Sequence, residues 1–91
     1  MPVTVKIPPQ LRAVCSGEGA AEVDGATVGE VLEALYAKHD GLRDRVADDA
    51  GELRRFVNVY VDGEDIRFLD GLQTTVPAGA ELQILPAVAG G

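Results

Sequence analysis

The sequence has no tryptophan, one cysteine, one histidine, two tyrosines and two phenylalanines. With aromatics so scarce, valine, leucine, isoleucine and alanine must fill whatever core it builds. The single cysteine, Cys15, excludes an internal disulfide, so a reducing cytoplasm is the expected compartment. One cysteine and one histidine cannot by themselves assemble a structural zinc site. Positive charge is also short: 8 lysines and arginines stand against 15 acidic residues, a net charge of −7. That balance argues against nucleic acid, whose phosphates require a basic footprint, and against anionic membrane surfaces. It favours a basic partner or a well-solvated carrier. No apolar run approaches a membrane span, and the opening MPVTVKIPP lacks the charged start and apolar stretch of a signal peptide. No P-loop, G-x-G-x-x-G or G-x-S-x-G motif occurs.

What is present is a single folded domain. The chain has 91 residues, of which 46% are hydrophobic, which suits a small globule and not a disordered acidic segment. Val3, Val5 and Ile7 alternate with polar residues, the period of a half-buried strand that Pro8-Pro9 ends. A loop containing CSGEG leads to a second strand near Ala21 to Asp24. In ATVGEVLEALYAKHDG, Thr27 and Glu30 have the spacing of a capping box, with the carboxylate expected to reach the Thr27 N–H. Val28, Val31, Leu32 and Leu35 follow helical spacing, and Gly41 is placed to stop the helix in a left-handed turn. LRDRVADDAGEL reads as a short helical or irregular piece. Val57, Val59 and Val61 form the clearest strand face, with Phe56, Asn58 and Tyr60 opposite and an Asp62-Gly63 turn after it. A last strand covers Glu81 to Leu85. Strands gathered around one long helix predict an α+β domain of the β-grasp arrangement, a mixed sheet of four to five strands. The helix should pack on Val5, Ile7, Val57, Val59, Leu82 and Ile84.

The enzyme signatures are poor. His39 at a helix end reads as a capping or solvated residue, Cys15 as a plain loop thiol with no adjacent base, and Asp48, Asp49 and Glu52 as a solvated surface run. A β-grasp ferredoxin needs four cysteines. The unusual chemistry is in LQILPAVAGG. Two final glycines arise by chance in roughly 0.5% of chains. A glycine carboxylate has no side chain around it and can pass through a narrow channel. Ala87, Val88, Ala89 and Gly90 are small and uncharged, so residues 1–86 divide as a folded domain from a flexible tail, 87–91. No catalytic machinery accompanies the tail, so the chain is not expected to be an enzyme.

These features resemble the ubiquitin-like sulfur carriers of the ThiS/MoaD family, most of all the CysO type that serves cysteine biosynthesis. The resemblance rests on VTVKIP, TVGEVLEAL, RRFVNVYVDGEDIRF and ILPAVAGG. It implies that an E1-like enzyme uses ATP to adenylate the Gly91 carboxylate, and that a sulfur donor then leaves a terminal thiocarboxylate. It further implies two partners, a pyridoxal-phosphate cysteine synthase that accepts the sulfur and a zinc peptidase that releases cysteine. No cofactor or metal is expected on the chain itself. Phe56, Tyr60 and Leu85, on the outward face of the sheet, are the expected partner-binding residues. Alternatives are the small subunit of molybdopterin synthase and a ubiquitin-like modifier or interaction module. A thiamin-pathway carrier fits the ILPAVAGG end less well.

Overall fold

A computed structural model of the chain describes residues 2–54 and 57–86, with only the backbone of Pro86. The first strand, β1, is Val3–Lys6, and β2 is Ala20–Val23. Two helices follow, α1 at Val28–Lys38 and α2 at Asp40–Val46. Then come β3 at Val57–Val61, β4 at Glu64–Asp65 and β5 at Glu81–Pro86. Short 3-10 segments cover Pro9–Cys15, Ile66–Phe68 and Gly71–Gln73. The strands form one five-stranded sheet in the order β2-β1-β5-β3-β4. β1 and β5 are parallel and every other pair is antiparallel. Asp62 and Gly63 both have positive φ, the twist that a two-residue hairpin between β3 and β4 requires.

The alternation of each strand divides the sheet into two faces. Val3, Val5, Val57, Val59, Val61, Leu82 and Ile84 point inward and share one buried cluster with Val28, Val31, Leu32 and Leu35 of α1. Ile7 is buried in the same cluster, so the whole expected core is present. Leu42 and Val46 anchor α2 beneath it, which resolves the LRDRVADDAGEL segment as a helix in its first half.

Five local expectations are corrected. The segment after Pro8-Pro9 is a 3-10 helix and not an open loop, because a proline at the first helical position pre-sets φ and has no N–H to lose. Cys15 at its end is therefore fully buried and is not a loop thiol. Gly41 lies within α2, and α1 ends at His39 in an extended conformation. His39 is buried, with its Nε2 3.0 Å from Glu18 Oε2, so it joins the β2 entry loop to the α1–α2 corner instead of meeting solvent. In the capping box, Thr27 Oγ1 accepts from the Glu30 N–H at 3.3 Å as expected. The Glu30 carboxylate reaches one residue further back, accepting from the Ala26 N–H at 3.0 Å.

Candidate docking face and tail exit

The helices cover one face of the sheet and leave the other open. Register fixes what this open face presents. Lys6 of β1 lies opposite Ala20 of β2 and Gln83 of β5. Gln83 lies opposite Tyr60 of β3, and Tyr60 opposite Asp65 of β4. A single row thus crosses all five strands. One step toward the end of β5, Leu85 lies opposite Asn58. Tyr60 and Leu85 are therefore diagonal neighbours, close enough for their side chains to form one patch. Tyr60 is half-buried and Leu85 is 37% exposed, so the structure places both predicted partner-binding residues on the open face. Phe56, the third, lies outside the described residues, as do Ala87, Val88, Ala89, Gly90 and Gly91. The carboxamide oxygen of Asn58, between Leu85 and the edge strand, is buried without a hydrogen-bond partner.

Sequence reasoning missed Phe68. Its side chain is 86% exposed, and that of the next residue, Leu69, is 41% exposed. The turn carrying Phe68 continues from β4 back along β3. It is held by Asp65, whose carboxylate accepts from the Arg67 N–H at 2.9 Å, and by the Arg67 guanidinium, which donates to the Val57 carbonyl at 3.2 Å. Val57 is paired with Pro86, so the turn that carries Phe68 is tied through Arg67 to the end of the sheet where β5 finishes. The only sequence signal for it was an aromatic residue in a polar turn segment with no periodic apolar companions.

Glu22, Glu81 and Asp65 share the open face with Lys6, so it carries more negative than positive charge. The remaining nucleophile candidate is inert. Burial pushes the Cys15 thiol pKa up and the nearby Glu18 carboxylate adds to the shift. Among the described residues no three His, Cys, Asp or Glu side chains are grouped to hold a metal ion, and no helix is long and apolar enough to cross a membrane. The described part of this site is thus an open sheet face that ends with β5.

The ThiS family matches residues 5–91 of the chain. The sulfur carrier protein CysO of Mycobacterium tuberculosis is 45% identical over 93 aligned positions, which span 100% of both chains. A crystal structure of an Amycolatopsis orientalis BexX/CysO complex contains a chain of 47% identity that superposes with a TM-score of 0.91, covering 98% of this chain and 99% of that one. Small archaeal modifier protein 3 of Haloferax volcanii is 44% identical over 68 positions, which cover 75% of this chain and 73% of the relative.

Proposed function

The chain belongs to the ThiS family, as a homologue of the sulfur carrier protein CysO with the same β-grasp fold, and we propose that it carries sulfur as a thiocarboxylate on Gly91. In the first step the Gly91 carboxylate attacks the α-phosphorus of ATP in an E1-like enzyme, and pyrophosphate leaves. The acyl-adenylate now has a good leaving group. A sulfur nucleophile attacks its carbonyl carbon, AMP departs, and the thiocarboxylate remains. The sulfur is soft, nucleophilic and ionised at neutral pH. It is next offered to an aminoacrylate held on pyridoxal phosphate in a cysteine synthase, where the sulfur forms a bond to the β-carbon. A zinc peptidase then frees cysteine and regenerates the carboxylate. The chain acts throughout as a protein co-substrate, in a reducing cytoplasm.

The observation that carries this reading is the full-length similarity to CysO, which runs through Gly90-Gly91. The open sheet face beside the end of β5 supports it, because a partner seated there has the tail within reach. The test is reconstitution with ATP, an E1-like activating enzyme and a sulfide source, read by intact-protein mass. Replacement of one terminal oxygen by sulfur is the expected result. Deleting Gly91, or adding one residue after it, should abolish loading and leave the fold intact. Addition of the cysteine synthase and an activated serine should then join cysteine to Gly91. Transfer to a molybdopterin precursor instead would identify a molybdopterin synthase subunit.

A second reading, as a protein modifier, draws on the similarity to a small archaeal modifier protein. It predicts Gly91 in isopeptide linkage to lysines of other proteins, visible by mass spectrometry of conjugates.

A further inference from the structure

Because β1 and β5 are parallel, both strands finish at the same end of the sheet, and the 3-10 segment Pro9–Cys15 turns back beside them. Between them lies a groove of about 480 Å³, with Lys6, Pro8, Gln10, Arg12, Gln83 and Leu85 among its walls. It includes Leu85, on the open face.

The charge of this groove runs against that of the molecule. Two of the chain's 8 basic residues line it, and Glu81 is its one carboxylate. Neither cation is spent internally. Among the described residues Lys6 and Arg12 make no ion pair, although the chain offers 15 acids. The Arg12 guanidinium is nonetheless held in place. Its Nε donates to the Ile7 carbonyl at 3.2 Å, and it lies over Gly19, where a Cβ would sit 3.4 Å from both Nε and Nη2. Among the described residues the terminal amino groups of Arg12 donate to no internal acceptor, and a fixed, planar donor of this kind suits a carboxylate better than a freely rotating one. Pro8 and Pro9 stiffen the wall, so little ordering entropy is lost when the groove fills.

We propose that this groove receives an acidic segment, aspartate or glutamate side chains, of the enzyme that activates the tail. The inference rests on the sulfur-carrier reading. The groove is continuous with the apolar Leu85, which fits a protein segment, and Glu81 on its wall disfavours a polyanion such as a triphosphate. On a chain of net charge −7, an acidic segment is repelled over most of the surface and admitted here. The groove therefore sets the orientation in which the carrier seats, and so directs the tail into the partner.

The test is steady-state loading by the E1-like activating enzyme, varying carrier and ATP separately. Lys6→Glu and Arg12→Glu should each raise the KM for carrier about tenfold or more, with the rate at saturating carrier and the KM for ATP little changed. Arg12→Lys, which keeps the charge but not the planar fork, should lose less than Arg12→Glu without reaching the wild-type KM. Arg45→Glu, on the exposed side of α2, should load like the wild type. Circular dichroism and thermal melts establish that each variant is folded. A wild-type KM in both groove variants would overturn the proposal while leaving the carrier function intact. A raised KM for ATP would also overturn it, assigning the groove to the nucleotide. Failure of the wild-type chain to load would remove the carrier reading and this one with it.

Discussion

Cys15 and Tyr36 are the two side chains whose protonation the fold most clearly alters, and both are buried. For Cys15, burial and Glu18 raise the pKa from an ordinary 9.0, so the nucleophilic thiolate is disfavoured at neutral pH. Cys15→Ala should therefore load sulfur normally. It should lose about 1 kcal/mol of stability, the low end of large-to-small core changes, in a urea titration. Native Cys15 should resist iodoacetamide at pH 8 and react once the chain is unfolded. Loss of loading in Cys15→Ala would place part of the sulfur chemistry outside the tail.

For Tyr36, burial and Glu33 push the hydroxyl from 10.0 to about 12, with Arg43 acting in the opposite direction. Arg43 stacks on the ring at 4.9 Å and donates to Glu33 at 2.8 Å. Both shifts are upward, so the unfolded chain loses these protons first as pH rises. Their contribution to stability is fully present below the unfolded pKa values and is lost as pH climbs through the folded ones. Melting temperature should accordingly fall above about pH 9, and fall further between pH 10 and 12. Tyr36→Phe should flatten the upper part of that decline, a comparison that needs only thermal melts in a series of alkaline buffers.

At the scale of elements, α1 and the sheet it covers were largely legible, because their information is local and periodic. The Thr27 cap, the spacing of Val28, Val31, Leu32 and Leu35, and the alternation of Val57, Val59 and Val61 each follow from backbone geometry alone. What could not be read depends on contacts far apart in sequence. His39 meets Glu18 across 21 residues, and nothing near either residue announces the other. The 3-10 helix after Pro8-Pro9 is too short for a periodic signal, so its burial of Leu11 and Cys15 was hidden. Phe68 could be seen as an apolar residue but its exposure could not be foreseen, because the turn that carries it is held by the Arg67 bond to Val57. Leu35 is fully buried at the centre of the α1 face, and Leu35→Ala should cost about 2–5 kcal/mol in chemical denaturation. Gly25, where β2 turns into α1, has a different constraint. A Cβ there would lie 2.7 Å from the Val31 backbone nitrogen, so Gly25→Ala should destabilise the domain by forcing the corner apart. A Gly25→Ala protein as stable as the wild type would mean that this corner yields freely.

At the scale of the molecule, the core and the proposed docking surface lie on opposite faces of one sheet. The valines and leucines that hold the domain together point toward α1. Tyr60 and Leu85 point away from it, and Phe68 is exposed on the turn that follows β4. Changes on the open face should therefore leave stability within about 0.5 kcal/mol while changing how the chain meets a partner. Phe68 is the sharpest case. An aromatic ring 86% exposed contributes little to the isolated chain, and full burial of such a ring is worth about 1.5–3 kcal/mol. Phe68→Ala should thus raise the KM for loading by about tenfold to a hundredfold if the ring is covered in the complex. Tyr60→Glu and Leu85→Glu should weaken loading further, since each buries a charge against an apolar surface without a partner for it. The rate at saturating carrier should change little in all three, because a docking contact acts on binding and not on the chemical step. Unchanged KM in Tyr60→Glu and Leu85→Glu, with intact folds, would shift docking off the apolar part of this face.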